Sequence, residues 1–292
     1  MPASAIALAF QRRWEQNNSG VWRGRAARWR VLHWMLLQSL GLKVWARARL
    51  FFGPSMCVLT GEAVSGGILA FGYAETALTA LMLKTVKPGM TFVDIGAHFG
   101  YEATLAAALV GREGHVISFE PQPKVAVVAR RNLARFPQVR FVEAAVGEQD
   151  GTLELEDRSL TESAFTGRMV EGHSIAVPMV RLATALHAAE RPVHVLKCDV
   201  EGGEMFVLSG ALELLRQDQP LLILEAEMPD NESRPRIREF EALLNPLGYE
   251  AMLFEFDGAL RIGRLGELTT HHANVAFVPS RMLPIVSSDA RT

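Results

Sequence analysis

Residues 87–100 read KPGMTFVDIGAHFG, and the reading of this stretch decides the fold. Lys87-Pro88-Gly89 is a turn, because the residue before proline is pushed out of helix and glycine tolerates the reversal. Met90 to Ile95 follow as a short run of buried-strand type. Asp94 is the one charge in it, and Gly96 to Gly100 then form a glycine loop. From Tyr101 to Val110 an Ala- and Leu-rich stretch reads as a helix closed by Gly111. Strand, loop and helix make half of a βαβ unit, and a parallel sheet requires the unit to repeat.

It does repeat. Residues 115–119 (HVISF) read as a second strand ending at Glu120-Pro121, and residues 123–135, with Pro123 at their start, as a helix. Residues 139–146 (VRFVEAAV) read as a third strand. Residues 150–181, around Gly151, Gly167 and Gly172, suggest a hairpin or an irregular insertion. Alternation resumes with strand 193–200 (VHVLKCDV), a helix through Arg216, strand 221–227 (LLILEAE), a helix over 235–247, and strands 250–257 and 273–278. The expected fold class is α/β: a doubly wound, mostly parallel sheet of seven strands. The last two strands have no room for a crossover helix between them, so the final one is expected to run antiparallel. The expected organisation is a helical extension over 1–55, a pre-core segment over 56–90, a core over 91–280 with the insertion at 150–181, and a tail over 281–292.

The 292 residues are 49% hydrophobic and 21% charged, a globular profile that excludes a disordered, collagen-like or coiled-coil chain. Cys57 and Cys198 lie far apart with no CxxC spacing, which excludes a disulfide scaffold and argues against zinc. The net charge of −2 hides an asymmetry: residues 1–50 hold nine Lys or Arg against one acid, Glu15, and all five tryptophans. No run there approaches the roughly 20 apolar residues that span a bilayer. Two readings of this head stand side by side: a helical lid whose tryptophans pack on the body, and peripheral contact with an anionic membrane. A cytoplasmic location, peripheral at a membrane in the second case, is the expectation.

Ligands of open α/β sheets bind at the carboxyl ends of the strands. The loop Asp94-Ile95-Gly96-Ala97-His98-Phe99-Gly100 allows backbone amides to approach a ligand at a helix N-terminus. Glu120 ends the second strand 24 residues after Gly96, the distance at which an acid accepts hydrogen bonds from ribose hydroxyls. A dinucleotide fingerprint is Gly-x-Gly-x-x-Gly, whereas here the spacing is Gly-x-x-x-Gly with an acid two residues before it. A carboxylate there repels a pyrophosphate and can orient the ammonium of a methionine-type cofactor, which favours S-adenosylmethionine over a nicotinamide. The third constellation, Lys197-Cys198-Asp199-Val200-Glu201-Gly202-Gly203-Glu204, carries charge out of a buried strand, which is costly unless paired or working.

These residues resemble the FkbM-type methyltransferases, a branch of the class I S-adenosylmethionine-dependent enzymes. The resemblance rests on VDIGAHFG (93–100), FEP (119–121) with Asn132, EAAVG (143–147), LKCDVEGGE (196–204), VLSGA (207–211), LILE (222–225) and NVAFVP (274–279), and covers roughly residues 75–280. It implies a Rossmann-like sheet and O-methylation of a sugar, glycolipid or natural-product hydroxyl. By position it implies that Asp94, Gly96 and Gly100 belong to the cofactor loop, Glu120 to the ribose and Asp199 to the methyl group. Ala97, His98 and Pro121 lie within the matched motifs, and Ala144 and Ala145 stand where adenine is expected. The family usually has Asn at the place of His98 and aromatic or hydroxyl residues near Glu102.

In-line methyl transfer needs an acceptor oxygen held near the methyl carbon and a base for its proton. Asp199 is the first candidate, His98 the second, and His271 or His272 the third; Lys197 is either part of the catalytic cluster or a structural charge partner. Glu204 reads as a helix-dipole residue. No metal is assigned, although Asp199, Glu201 and Glu225 offer oxygens of the kind Mg²⁺ takes. The expected partner is a hydroxyl-bearing small molecule or glycan; the Asn/Asp-Pro-Pro-Tyr/Phe signature of base methylation is absent, so nucleic acid is not expected. The alternatives are a non-catalytic cofactor- or glycolipid-binding member and a nicotinamide-dependent oxidoreductase.

Overall fold

The computed structural model describes residues 1–18, 29, 32, 35–37, 39, 40, 42–157, 174–226, 233–264, 267 and 274–286. In chain order the elements are α1 (Ala3–Asn18), β1 (Trp45–Arg49), β2 (Ser55–Leu59), α2 (Ala63–Phe71), α3 (Thr76–Thr85), β3 (Thr91–Ile95), α4 (Tyr101–Val110) and β4 (His115–Phe119). Then come α5 (Pro123–Leu133), β5 (Val139–Val142), β6 (Ala145–Gly147), β7 (Gly151–Glu156), β8 (Ser174–Arg181), α6 (Leu182–Ala185), β9 (Val195–Cys198) and α7 (Glu204–Asp218). The series ends with β10 (Leu221–Glu225), α8 (Ser233–Leu244), β11 (Tyr249–Phe256), β12 (Leu260–Arg264), β13 (Asn274–Pro279) and α9 (Leu283–Val286).

The main sheet has the order β12-β11-β13-β10-β9-β3-β4-β5. Pairing is parallel from β10 through β5, and β13 lies antiparallel between β10 and β11. The doubly wound, mostly parallel sheet with an antiparallel last strand is therefore present. Its strand count is eight rather than seven. Asp257-Gly258 turns the chain and lets β12 pair with β11, with Phe254 opposite Ile262; an Asp-Gly pair between two alternating runs is a hairpin signal.

Apolar strands with alternating side chains give the sheet two buried faces. Phe92, Val195 and Ile223 pack with Leu78, Leu81 and Leu105 on one side, where α3 and α4 lie. Val93, Leu196 and Leu222 pack with Leu208, Leu214 and Phe240 on the other, against α7 and α8. The same alternation sends Asp94 and Lys197 to the α3/α4 side, next to the strand ends.

Two expected boundaries move. The third strand ends at Val142, whose carbonyl accepts the Glu120 N–H at 3.1 Å. Ala145–Gly147 then leaves the main sheet to pair with β8, giving the small sheet β6-β8-β7. The β7–β8 pairing is the hairpin expected in the insertion; residues 158–173 lie outside the described ones. The boundary expected at residue 55 falls inside a second hairpin, in which β1 pairs antiparallel with β2.

The head docks by aromatic contact. Phe10 is 2% exposed, and its ring lies 5.3 Å from those of Phe51, Tyr73 and Phe256. Trp14 meets Phe256 edge-on at 5.3 Å, as the lid reading expects of a tryptophan. Trp29, by contrast, is 71% exposed; Trp22 and Trp34 lie outside the described residues. Among the described residues no single helix is long and apolar enough to cross a membrane.

Candidate cofactor-binding and catalytic site

Gly96 sets the geometry. Its φ is +83°, and a Cβ there would lie 1.8 Å from the Asp199 carbonyl oxygen, so only glycine lets β3 turn against the end of β9. Four of the loop's amides meet acceptors inside the protein, a use the sequence did not indicate. Gly96 and Ala97 donate to the Phe119 carbonyl at 3.0 and 2.9 Å, His98 donates to Glu120 Oε2 at 2.9 Å, and Gly100 donates to the Ala97 carbonyl at 2.8 Å. Three of these donors lash the end of β3 to the end of β4, and the fourth closes the loop's own turn.

These bonds prebuild the nucleoside side. Glu120 is buried, its Oε2 held by His98 and its Oε1 by the Gln122 N–H at 2.9 Å. Burial pushes its pKa up to about 7, against the pull of those two amides. Each oxygen keeps a lone pair for a further donor, such as a ribose hydroxyl. Pro121 leads from it towards α5. Ala144 and Ala145 are buried where the chain passes from β5 to β6. Glu143, next to them, is exposed and ion-paired with Arg130. Asn132 fastens the loop to the head-side hairpin: Nδ2 donates to the carbonyls of Phe99 at 2.9 Å and Cys57 at 3.0 Å, and Oδ1 accepts from the Cys57 N–H at 2.7 Å.

The other half is built from acids. Lys197 Nζ lies 3.1 Å from Asp199 and 3.8 Å from Asp94 and donates to the Gly96 carbonyl at 3.2 Å. Burial alone would push this ammonium down; Asp199, Asp94, Glu102 and Glu75 outweigh it and hold the pKa well above the ordinary lysine range. Lys197 is thus a fixed cation and not a base. Asp94 is fully buried and neither of its oxygens accepts a well-aligned hydrogen bond; burial raises it to about 6, with Lys197 restraining the shift. The carboxylates of Asp199, Glu201 and Glu225 lie within 4.8 Å of one another, and burial, then the charges of Asp199 and Glu201, push Glu225 up to about 9. His98, at φ +49°, stacks on Phe99 with centroids 4.1 Å apart, and burial lowers its pKa.

Glu204 is a clamp. It accepts the N–H groups of Val200 and Gly202 at 3.0 and 3.2 Å and pairs with Arg236 at 2.6 Å, fixing the 199–204 turn to α8. Reading the sequence missed Glu75, at the start of α3, and the burial of Glu102; the former stands before the recognised core and the latter looks like a helix-dipole acid. His271 and His272 lie outside the described residues.

A strand-end crevice that offers acceptors in place of amide donors suits a nucleoside carrying a cation and repels a pyrophosphate, which places the domain among the S-adenosylmethionine-dependent methyltransferases. The chain belongs to the FkbM methyltransferase family: the methyltransferase FkbM domain matches residues 94–251, more than half of its length. It is 31% identical over 149 residues to a protein-L-isoaspartate O-methyltransferase of Methanothrix thermoacetophila, covering 49% of this chain and 61% of that one. It is 32% identical to the protein of the same name from Aeropyrum pernix, covering 57% and 54%. The chain thus spans about half to three fifths of the length of these curated relatives. Among solved structures, the methyltransferase FkbM from Methylobacillus flagellatus superposes with a TM-score of 0.44 at 14% identity, covering 73% of this chain and 52% of that one.

Proposed function

We propose that the chain transfers a methyl group from S-adenosylmethionine to a hydroxyl of a sugar, glycolipid or natural product. The observation that carries this reading is the fully buried carboxylate of Asp94, which accepts no well-aligned hydrogen bond, beside the amide-held carboxylate of Glu120. Glu120 would take the ribose, Asp94 the amino-acid end, and the backbone at Ala144 and Ala145 the adenine edge. When bound, the cofactor supplies an electrophilic methyl group on a sulfonium.

Asp199 stands at the rim above Lys197 and takes the acceptor's proton on a carboxylate oxygen. Lys197, 3.1 Å away, orients that carboxylate. His98 is the second candidate base, and burial lowers its pKa. The acid-rich rim favours a hydroxyl acceptor. The carboxylate of an isoaspartyl residue, implied by the names of the curated relatives, would have to enter beside Asp199, Glu201 and Glu225.

The head supports a membrane-proximal acceptor. Trp29, Leu32, Leu36 and Leu40 recur at helical spacing and are all exposed, and Arg47 and Arg49 beyond them are exposed too. An apolar stripe with basic neighbours is suited to the interface of an anionic bilayer.

The deciding experiment incubates the protein with methyl-labelled S-adenosylmethionine and a panel of sugars, glycolipids in anionic vesicles and isoaspartyl peptides. Label on a hydroxyl is the expected result. Label confined to the isoaspartyl peptides would overturn the acceptor class, and vesicles that leave both binding and turnover unchanged would remove the membrane from the account.

A further inference from the structure

The exposed apolar surface is concentrated in one place, and that place is tied to the cofactor loop. Of the thirteen large hydrophobic side chains exposed among the described residues, eight fall between Trp29 and Trp45. Single exposed apolar residues are ordinary, whereas a run of them marks an interaction surface. Trp29, Leu32, Leu36 and Leu40 recur at helical spacing. Trp45, 48% exposed, continues the patch onto β1, where alternation turns Arg47 and Arg49 outward with it and Ala48 inward. Charge decides what such a patch meets. Residues 1–50 carry nine Lys or Arg against one acid, and residues 51–292 carry 21 against 31. A second copy presenting the same head would repel it, whereas an anionic bilayer attracts the head and repels the body, which fixes the side that docks.

The patch and the hairpin are fastened together. The Thr60 hydroxyl, just after β2, accepts the Val44 N–H at 2.7 Å and donates to the Leu42 carbonyl at 2.8 Å, which pins the end of the stripe to β2. The hairpin in turn meets the cofactor loop at two points. Asn132 bonds both backbone groups of Cys57 and also the Phe99 carbonyl. The Trp45 ring lies 6.2 Å from that of Phe99, which is 2% exposed and stacks on His98 at 4.1 Å. The His98 N–H is one of the two amides that hold the Glu120 carboxylate. His98 stands at φ +49°, a backbone state that persists only where neighbours enforce it. Phe99 is such a neighbour, and Trp45, half in solvent, backs it.

Resting on the cofactor and membrane readings above, we propose that the outer face of β1 and the stripe before it dock on an anionic bilayer, and that docking tightens the cofactor site through Trp45 and Phe99. A hairpin free in water leaves Phe99 and His98 more freedom, and the cofactor has to order them as it binds. A hairpin seated on lipid has that order already, so the His98 amide stays on Glu120 and the ribose meets a carboxylate already in position. Linkage makes the effect reciprocal: whatever factor the bilayer adds to cofactor affinity, the cofactor adds to bilayer affinity. The methyl donor is then held best where a lipid-borne acceptor lies.

Calorimetric titration of the full chain with S-adenosylhomocysteine tests this, run without lipid, with phosphatidylcholine vesicles, and with vesicles that also contain phosphatidylglycerol; cosedimentation reads vesicle binding separately. The anionic vesicles should bring the chain down and tighten the compound about fivefold or more, and the neutral ones should do neither. Trp45→Ala should leave cosedimentation through the stripe in place yet remove most of the gain, and Trp45→Phe should keep it. Leu36→Asp combined with Leu40→Asp should remove cosedimentation and gain together. Cosedimentation with unchanged affinity, or a gain that survives Trp45→Ala, would overturn the coupling while leaving the membrane and cofactor readings intact. Absence of cosedimentation, with a dimer in light scattering that the doubly substituted chain loses, would make the patch a contact between copies and overturn the docking. No binding of the compound under any condition would bring down the cofactor reading as well. Should Trp45→Ala not fold, the wild-type affinities with and without anionic vesicles decide alone.

Discussion

The two halves of the crevice are built on opposite rules. On the nucleoside side, the amides of Gly96, Ala97 and His98 and the carboxylate of Glu120 all have partners within the protein, at 2.9 to 3.0 Å. On the other side, Asp94 and Glu102 carry oxygens without a well-aligned donor, and Lys197, the one buried cation among the described residues, faces four carboxylates. The first half is a finished surface, whereas in the second buried acceptors outnumber the donors that meet them. The strained residues are divided between them: among the described non-glycine residues at positive φ, His98 lies in the loop and Glu75 and Glu201 on the acidic side, with only Gln219 elsewhere. Strain of this kind persists where surrounding structure overdetermines it, often at functional sites.

The sharpest break falls on the acidic half. Asp199→Asn should lower kcat by about 10²- to 10⁴-fold, the usual worth of a positioned base, while cofactor affinity changes less than threefold; turnover close to wild type would move the base to His98. Next comes the hinge between the halves. Gly96→Ala places a methyl against the Asp199 carbonyl at positive φ and should cost about 3 kcal/mol or more in urea unfolding; a near-neutral result would mean that the strand ends are not packed this closely. On the finished half, Glu120→Gln should weaken cofactor binding by about 10- to 100-fold, the loss of a charge-assisted hydrogen bond, with little change in kcat for the saturated enzyme.

The smallest effect is in pH. Glu75 and Glu225 are raised from the ordinary glutamate value of 4.5 to about 8 and about 9, so between these limits the folded chain holds protons that the unfolded chain has lost. Folding then takes up protons, and stability is present below pH 4.5 and lost as pH climbs towards 9. The ligand-free protein should melt at progressively lower temperature from pH 6 to 9, and S-adenosylmethionine should raise the melting temperature more at pH 9 than at pH 6. A flat profile would show that Glu75 and Glu225 are not buried among like charges in this way.

Legibility followed the same division. Asp94, Gly96, Glu120, Lys197 and Asp199 stand at strand ends and in motifs, so alternation and spacing gather them at one rim, where Lys197 reaches Asp94, Asp199 and the Gly96 carbonyl. The use of the loop amides was not legible, because whether an N–H faces a ligand or a carbonyl depends on how closely β3 and β4 approach. Strand β12 was missed because a five-residue strand carries little signal of its own next to a longer one, although Asp257-Gly258 marked its turn.

What the chain alone determined is the order of strands and helices and the residues that end each strand, since these follow from local periodicity, glycine and proline. What only the tertiary structure decided is which charges are buried together. Glu75 and Glu102 are 27 positions apart and look like ordinary helix-start acids. Packing α3 and α4 on one face of the sheet removes water from both and sets them against Lys197, and desolvation, a property of the packed body, raises both.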